Sequence, residues 1–287
     1  MAATLGGQVR YKSNLAIHNV FIVAHQDDWQ VFMGDVASTI LRSGTRATFI
    51  YLTAGDDGRD SVYWRTRELA ALRSTQVAMG RPAGADGITC MSVTVTQHAV
   101  GKCSLGDVDS YFLRLPDGRR NGAGFSQYGH QSLRLLRAKK IPAITTVDGS
   151  SAYHSWSDLV TTVVQVVDDH SGEQVLVHTT DPSKVANPHD HFDHRMAGLL
   201  VEELRNRYGL AVRYYTGYAL ASRAPNRTSA ETRVKTAVFL AYDAEMMRVN
   251  KGWSAFSEHR AFYSQCMERT YARTPRARPK TASEKPR

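Results

Sequence analysis

The stretch Val20-Phe21-Ile22-Val23-Ala24-His25-Gln26-Asp27-Asp28 decides how this chain folds. Five consecutive apolar residues ending in a polar turn read as a strand buried on both faces, as in parallel sheets. An imidazole and two carboxylates follow at its carboxyl end, where open α/β sheets place their ligand sites. Residues 30–43 then carry Val31, Met33, Val36, Ala37, Ile40 and Leu41 at helical spacing, with Gly44 placed to end the helix. A second strand over 47–52, an amphipathic helix over 63–79 stopped by Gly80 and Pro82, and a third strand over 88–95 complete a β-α-β-α-β order. That order predicts an α/β fold: a Rossmann-like, mostly parallel sheet flanked by helices, with the active site at the carboxyl ends of the strands.

Residues 97–150 are less regular and read as long surface loops around a short helix near 132–138, shaping a substrate cleft. Regular pattern resumes with a helix over 155–167, a strand over 175–178, a helix over 193–208 and a tyrosine-rich strand over 212–220. Helices over 229–248 and 255–271 close the chain. We expect one domain over residues 1–271 and a basic, disordered tail over 272–287. That tail holds Pro275, Pro279 and Pro286.

The 287 residues carry a formal net charge of +9, which raises a nucleic-acid partner as a hypothesis. Its placement argues against one. Arg269, Arg273, Arg276, Arg278, Lys280, Lys285 and Arg287, opposed only by Glu284, supply most of the excess. The body is close to balanced, and the tail implies weak, salt-sensitive attraction to polyanions rather than a specific nucleic-acid site. No apolar run reaches the ~18–20 residues of a membrane span. The N-terminal stretch is interrupted by Arg10, Lys12, Asn14 and His18, unlike a secretion signal. Cys90, Cys103 and Cys266 are an odd count without metal-finger spacing, so reduced thiols and a cytoplasmic setting are expected.

A second polar cluster, His191-Phe192-Asp193-His194, also follows a predicted strand. A catalytic zinc commonly takes three protein ligands and keeps a fourth position for water. His25, Asp28 and His194 make a two-histidine, one-carboxylate set. Asp27 is then free to accept a proton from the attacking water, and His191 to stabilise an oxyanion or protonate a leaving amine. Either cluster alone also reads as ordinary turn, N-cap or solvated-loop residues. Two clusters, each after a strand, are far more specific.

These residues resemble the PIG-L/LmbE-like family of metal-dependent N-acetylglucosaminyl deacetylases. The family's AHPDDE appears as Ala24-His25-Gln26-Asp27-Asp28-Trp29, and its HPDH as His191-Phe192-Asp193-His194. Thr53-Ala54-Gly55-Asp56-Asp57-Gly58 looks like its TxGExG loop, Arg65-Thr66-Arg67-Glu68 like its RxxE, and Leu115-Pro116-Asp117-Gly118 like its LxDG. Lys235 through Tyr242 is similar to its K-x-x-A…Y helix, so the resemblance spans about 18–270. It implies Zn2+, or another divalent metal, on His25, Asp28 and His194. It also implies Asp27 as base, His191 as the partner of the tetrahedral intermediate, and Asp193 orienting a histidine. The implied reaction is acetamide hydrolysis on an amino sugar or its conjugate, a small-molecule substrate. A non-sugar amide, or a polyanion-binding module using the tail, are the alternatives.

Gln26 and Trp29 depart from the family pattern. Trp29 is either a sugar platform or core. Arg59, Arg65 and Arg119 are candidates for sugar hydroxyls or phosphate at the cleft rim, with Arg65 favoured through its RxxE. Tyr63 and Trp64 stack on sugar or pack inward. His98, His130, His154, His170, His178 and His259 lack a partner motif and are taken as structural.

Overall fold

Two-residue alternation along β1 (Ile17–Val23) builds both halves of the core. Val20 and Ile22 pack into one apolar cluster, Phe21 and Val23 into another on the opposite face. The structure, a computed structural model, describes residues 17–168 and 174–275. After β1 come α1 (Asp28–Arg42), β2 (Ala47–Thr53), α2 (Ser61–Ala78), β3 (Thr89–Val95), β4 (His98–Leu105) and β5 (Val108–Leu115). Then follow α3 (Leu133–Arg137), β6 (Ile144–Thr145), β7 (Ala152–Tyr153), α4 (Trp156–Asp168), β8 (Gln174–Thr180) and α5 (Phe192–Tyr208). The chain continues through β9 (Ala211–Tyr215), α6 (Ser229–Met246), α7 (Ala255–Glu258), α8 (Arg260–Met267) and β10 (Ala272–Arg273).

Eight strands form one sheet in the order β10-β9-β8-β1-β2-β5-β4-β3. The five central strands, β9 to β5, run parallel, and the outer strands pair antiparallel. Leucines and valines of α3, α4 and α5 fill one face of the sheet; α1, α2, α6 and α8 fill the other. The expected α/β architecture is therefore present, as a mixed sheet.

Three expectations change. First, β3 is an edge strand, and β5 pairs with β2 in its place. The two-residue links Thr96-Gln97 and Gly106-Asp107, with Thr96 and Gly106 at positive φ, permit only hairpins, so 88–115 is a meander rather than a strand followed by loops. Second, the strand expected over 212–220 ends at Tyr215, and a short 3-10 turn, Tyr218–Ser222, follows. Third, Ala272–Arg273 of the expected tail pair with Tyr215 and Tyr214, and Arg273 bonds both carboxylate oxygens of Asp181. The rest of that tail, 276–287, and His170 lie outside the described residues.

Cys90 and Cys103 face each other across β3 and β4 with Cα atoms 4.1 Å apart and form a disulfide. The expectation of three reduced thiols fails there, and with it the cysteine argument for a cytoplasmic setting; Cys266 is free and buried. Among the described residues no helix is long and apolar enough to cross a membrane.

Candidate active site

The strand order places a crevice between β1 and β8. From β1 the chain steps to β2 on one side, and β8 is added on the other, so the loops leaving β1 and β8 diverge above the sheet. His25–Asp28 leave β1, Asp56 follows β2, Asp117 follows β5, and 181–191 follow β8. All meet in this crevice.

At its centre, His25 Nδ1 lies 3.1 Å from His194 Nε2, and Asp28 Oδ1 lies 2.9 Å from His194 Nε2 and 3.5 Å from His25 Nδ1. Zinc bonds of about 2.0–2.1 Å in a tetrahedron separate their donors by roughly 3.3 Å, so this spacing suits one ion. The donor lone pairs are prepared. His194 Nδ1 is 3.0 Å from Asp190 Oδ1, which takes its N–H and leaves Nε2 as the free lone pair. Asp28 Oδ2 accepts the backbone N–H groups of Ala24 and His25, each at 2.9 Å, while buried Oδ1 has no hydrogen-bond partner.

The electrostatics ask for a cation. Burial alone lowers the His194 imidazole, but Asp28 and Asp190 outweigh it and lift it to about 10. Burial likewise opposes charge on His25, and Asp28, Asp193 and Asp117 raise it well above its ordinary value. Burial favours a neutral Asp28, yet His194 and His25 hold its carboxyl well below the usual range. Two imidazoles with nitrogens 3.1 Å apart cannot both hold a proton between them. The same carboxylates that favour protonated imidazoles would favour a dication held by their deprotonated nitrogens.

A second shelf lies beside this set. His25 Nε2 is 3.5 Å from Asp117 Oδ2 and 3.6 Å from Asp193 Oδ2. His191 Nε2 is 3.5 Å from Asp117 Oδ1, and its Nδ1 accepts the backbone N–H of Asp193 at 3.2 Å. In the neutral ring that bond leaves the proton on Nε2, facing the cleft. Asp193 Oδ2 accepts the Gly118 N–H at 2.7 Å. A Cβ on Gly118 would sit 2.5 Å from Asp193 Oδ1, so only glycine permits this approach. Asp56, which burial pushes up to about 6, accepts the Asp117 N–H at 2.7 Å and fixes that loop.

The segment spanned by both polar clusters matches a family model: residues 20–204 fit that of the GlcNAc-PI de-N-acetylase, PIG-L. The chain belongs to the PIG-L family. No curated protein matches it significantly. Among solved structures it is similar to the zinc-inhibited form of teicoplanin deacetylase Orf2, at 12% identity over 86% of this chain and 90% of that one, with a TM-score of 0.47. The N,N'-diacetylchitobiose deacetylase of Pyrococcus horikoshii is similar at 13% identity over 87% and 76%, TM-score 0.46. A conserved protein of Thermus thermophilus is similar at 16% over 91% and 93%, TM-score 0.45. As a PIG-L protein, the chain is a metal-dependent N-deacetylase by class.

Against this PIG-L frame, the structure brings His25, Asp27, Asp28, His191, Asp193 and His194 into one crevice. It does not bring Trp29 there. Trp29 is fully buried, donates its indole N–H to Tyr51 Oη at 2.9 Å and packs 5.0 Å from Phe49, so it is core and no platform. Arg65 is exposed over the Trp64 ring, and its RxxE partner Glu68 is held by Arg114. Arg59 lies at the rim, over Tyr63, bonded to Asn250 Oδ1. Trp64 is core and Tyr63 nearly so.

Four residues escaped the sequence reading. Arg67 donates to Asp27 Oδ1 at 2.6 Å and to Gln26 Oε1 at 3.2 Å. The stripe Tyr63, Ala71, Ser74 and Ala78 at helical spacing runs through Arg67 and points it inward, which was the available signal. Asp117 was seen only as part of a segment, and Asp190 precedes α5, so no helical spacing announced its contact with His194. Tyr218, in the turn after β9, lies 5.4 Å from the His194 ring. Lys235 of the K-x-x-A…Y helix is not in the crevice. It is buried and donates to the carbonyls of Cys266 and Arg269 and to Thr270 Oγ1, and burial pulls it down to about 8.

Proposed function

We propose that this PIG-L protein is a zinc-dependent hydrolase that removes the acetyl group from an N-acetylated amino sugar or a conjugate carrying one. The supporting observation is the set of three donor atoms, His25 Nδ1, Asp28 Oδ1 and His194 Nε2, mutually 2.9–3.5 Å apart, with Asp27 next in sequence and outside the set. A zinc bound there would supply Lewis acidity, lowering the pKa of water to about 7 and polarising the acetamide.

The chain's own groups do the rest. Asp27 takes the proton as the water oxygen bonds to the carbonyl carbon. Arg67, 2.6 Å from Asp27 Oδ1, holds that carboxylate in place. His191 presents its Nε2 side to the developing oxyanion. The C–N bond breaks as the nitrogen receives the proton, leaving a free amine and acetate. Asp193 ties the start of α5 to the Asp117 loop and so fixes the rings on either side.

The test is acetate release from a panel of N-acetylglucosamine conjugates and N-acyl amino compounds, with zinc content measured in parallel. Chelation should abolish release and zinc should restore it. Release from acyl amino compounds but from no sugar would transfer the activity to a non-sugar amide. Release indifferent to chelation would end the metal reading.

A further inference from the structure

The turn that follows α6 sets an indole at the rim of the crevice. Lys251 and Gly252 both take positive φ, and the Trp253 N–H bonds the Asn250 carbonyl at 2.9 Å. The chain reverses there and presents the Trp253 ring, 42% exposed. Trp253 lines a cavity of about 450 Å³ with Asp57, Arg59, Tyr63, Asn250 and Lys251, a size usual for small-molecule sites. Its floor is fixed. Arg59 lies 3.8 Å over the Tyr63 ring and donates to Asn250 Oδ1 at 3.0 Å, and its carbonyl accepts from Gln127 Nε2 and Tyr128 Oη. Asp57 joins this cavity to the crevice. It follows Asp56, which grips the Asp117 loop, and burial, then the Asp117 charge, raise its carboxyl. Asn250, Lys251 and Trp253 lie beyond residue 204, where the family match ends.

The Asn250 amide NH2 and the Asp57 carboxylate enter no hydrogen bond among the described residues. One donates and the other accepts, and a sugar hydroxyl does both. The negative face of an indole attracts the partly positive C–H face of a pyranose. An anion would face the Asp57 carboxylate, and an acyl chain would face three charged side chains, which favours a neutral ring over both.

We propose that Trp253, Asn250 and Asp57 form a stacking subsite for an uncharged sugar ring joined to the amino sugar. That this ring belongs to the substrate rests on the deacetylase reading; the stacking site itself does not.

Two arms test it. Calorimetric titration of zinc-loaded Asp27→Asn protein, in which turnover is slowed, compares N-acetylglucosamine with two neutral disaccharides. N-acetyllactosamine carries the second ring on a hydroxyl of the amino sugar, and N-acetylglucosaminylmannose carries it at the anomeric carbon. One of them should bind roughly tenfold tighter than the monosaccharide. Adding Trp253→Ala or Asn250→Ala should remove most of that gain, and Trp253→Phe should keep more of it than alanine does. Tyr208→Ala removes an exposed ring at the C-terminal end of α5 and should leave the gain intact. In the second arm, kcat/KM of the enzyme with Asp27 intact should show the same preference and lose it in Trp253→Ala. Disaccharides that bind no tighter than the monosaccharide overturn the proposal, as does a gain untouched by both Trp253→Ala and Asn250→Ala. If no acetamide is cleaved, the deacetylase reading falls while the titration still decides the subsite.

Discussion

Asp28→Asn offers a test of the metal set that needs no substrate. Asp28 Oδ2 accepts two backbone N–H groups at 2.9 Å, so in the variant the amide oxygen must take that position to keep both bonds. The amide NH2 is then forced into the place of Oδ1, 2.9 Å from His194 Nε2. A ligand becomes a pair of donors without a change of shape, so the fold is kept and the ion excluded. With free zinc at about 100 times its Kd, the wild type gains about 2.7 kcal/mol over its own metal-free form. At about 2–4 °C per kcal/mol, that is a rise of roughly 5–11 °C in Tm. The variant, compared with its own metal-free form, should show a rise near zero and substoichiometric zinc. Scanning calorimetry with and without zinc, beside elemental analysis, measures both. A variant that holds one zinc per chain and shifts like the wild type would refute the assignment of Asp28 Oδ1.

Asp27→Asn should keep zinc while kcat falls by about two to four decades, because the proton acceptor is lost; turnover near wild type would remove Asp27 from the role of base. Gly118→Ala should drive Asp193 out of position and cost about 1–3 kcal/mol of stability, with a larger loss in kcat than in zinc content; an alanine variant matching the wild type in Tm and rate would show that the loop yields freely. His178 is held neutral by burial, its value pulled down to about 3, between Tyr215 Oη at 2.9 Å and Asn19 Oδ1 at 3.0 Å. The unfolded chain therefore binds a proton below about pH 6.5 that the folded one refuses until about pH 3, so stability drains as pH falls through that window, by up to about 1.4 kcal/mol per pH unit. His178→Gln should flatten the acid limb of urea-unfolding curves there, and an unchanged slope would assign the loss to other groups.

Legibility tracked burial. β1 and β2 are covered on both faces, and such strands read as unbroken apolar runs that no turn composition imitates. In β4 and β5 one face carries Lys102, Ser104 and Asp109, joined to one another across the hairpin, so the pattern alternates and the polar half resembles loop. The Gly106-Asp107 pair between two alternating runs was the cue for a hairpin there. Site residues divide the same way. His25, Asp28 and His194 were visible because carboxylates and imidazoles were clustered without apolar disguise. Trp29 looked ambiguous because the start of α1 faces both crevice and core, and its contact with Tyr51 is tertiary. Arg67 was masked by Arg65, two positions away and thus on the other side of α2.

The departures from the family pattern fall on the supports of the proposed metal set. A proline in place of Gln26 would fix the turn after β1 by its ring. Here the Gln26 side chain does so by hydrogen bonds, donating to the Thr53 carbonyl at 2.8 Å and accepting from Arg67 at 3.2 Å. The substitution couples the turn to α2 and to the Asp27 carboxylate, which a proline cannot do. Gly55 makes room, since a Cβ there would lie 2.8 Å from both Gln26 Oε1 and Arg67 Nε. Phe192 acts similarly at the other cluster: its N–H bonds the Arg120 carbonyl at 3.2 Å, a bond proline lacks, and its ring positions two arginines. Both exchanges replace local rigidity with links between the loops that leave β1, β2, β5 and β8. The three donor atoms thus keep one geometry while hydrogen bonds from Gln26 and Phe192 tie the surrounding loops together.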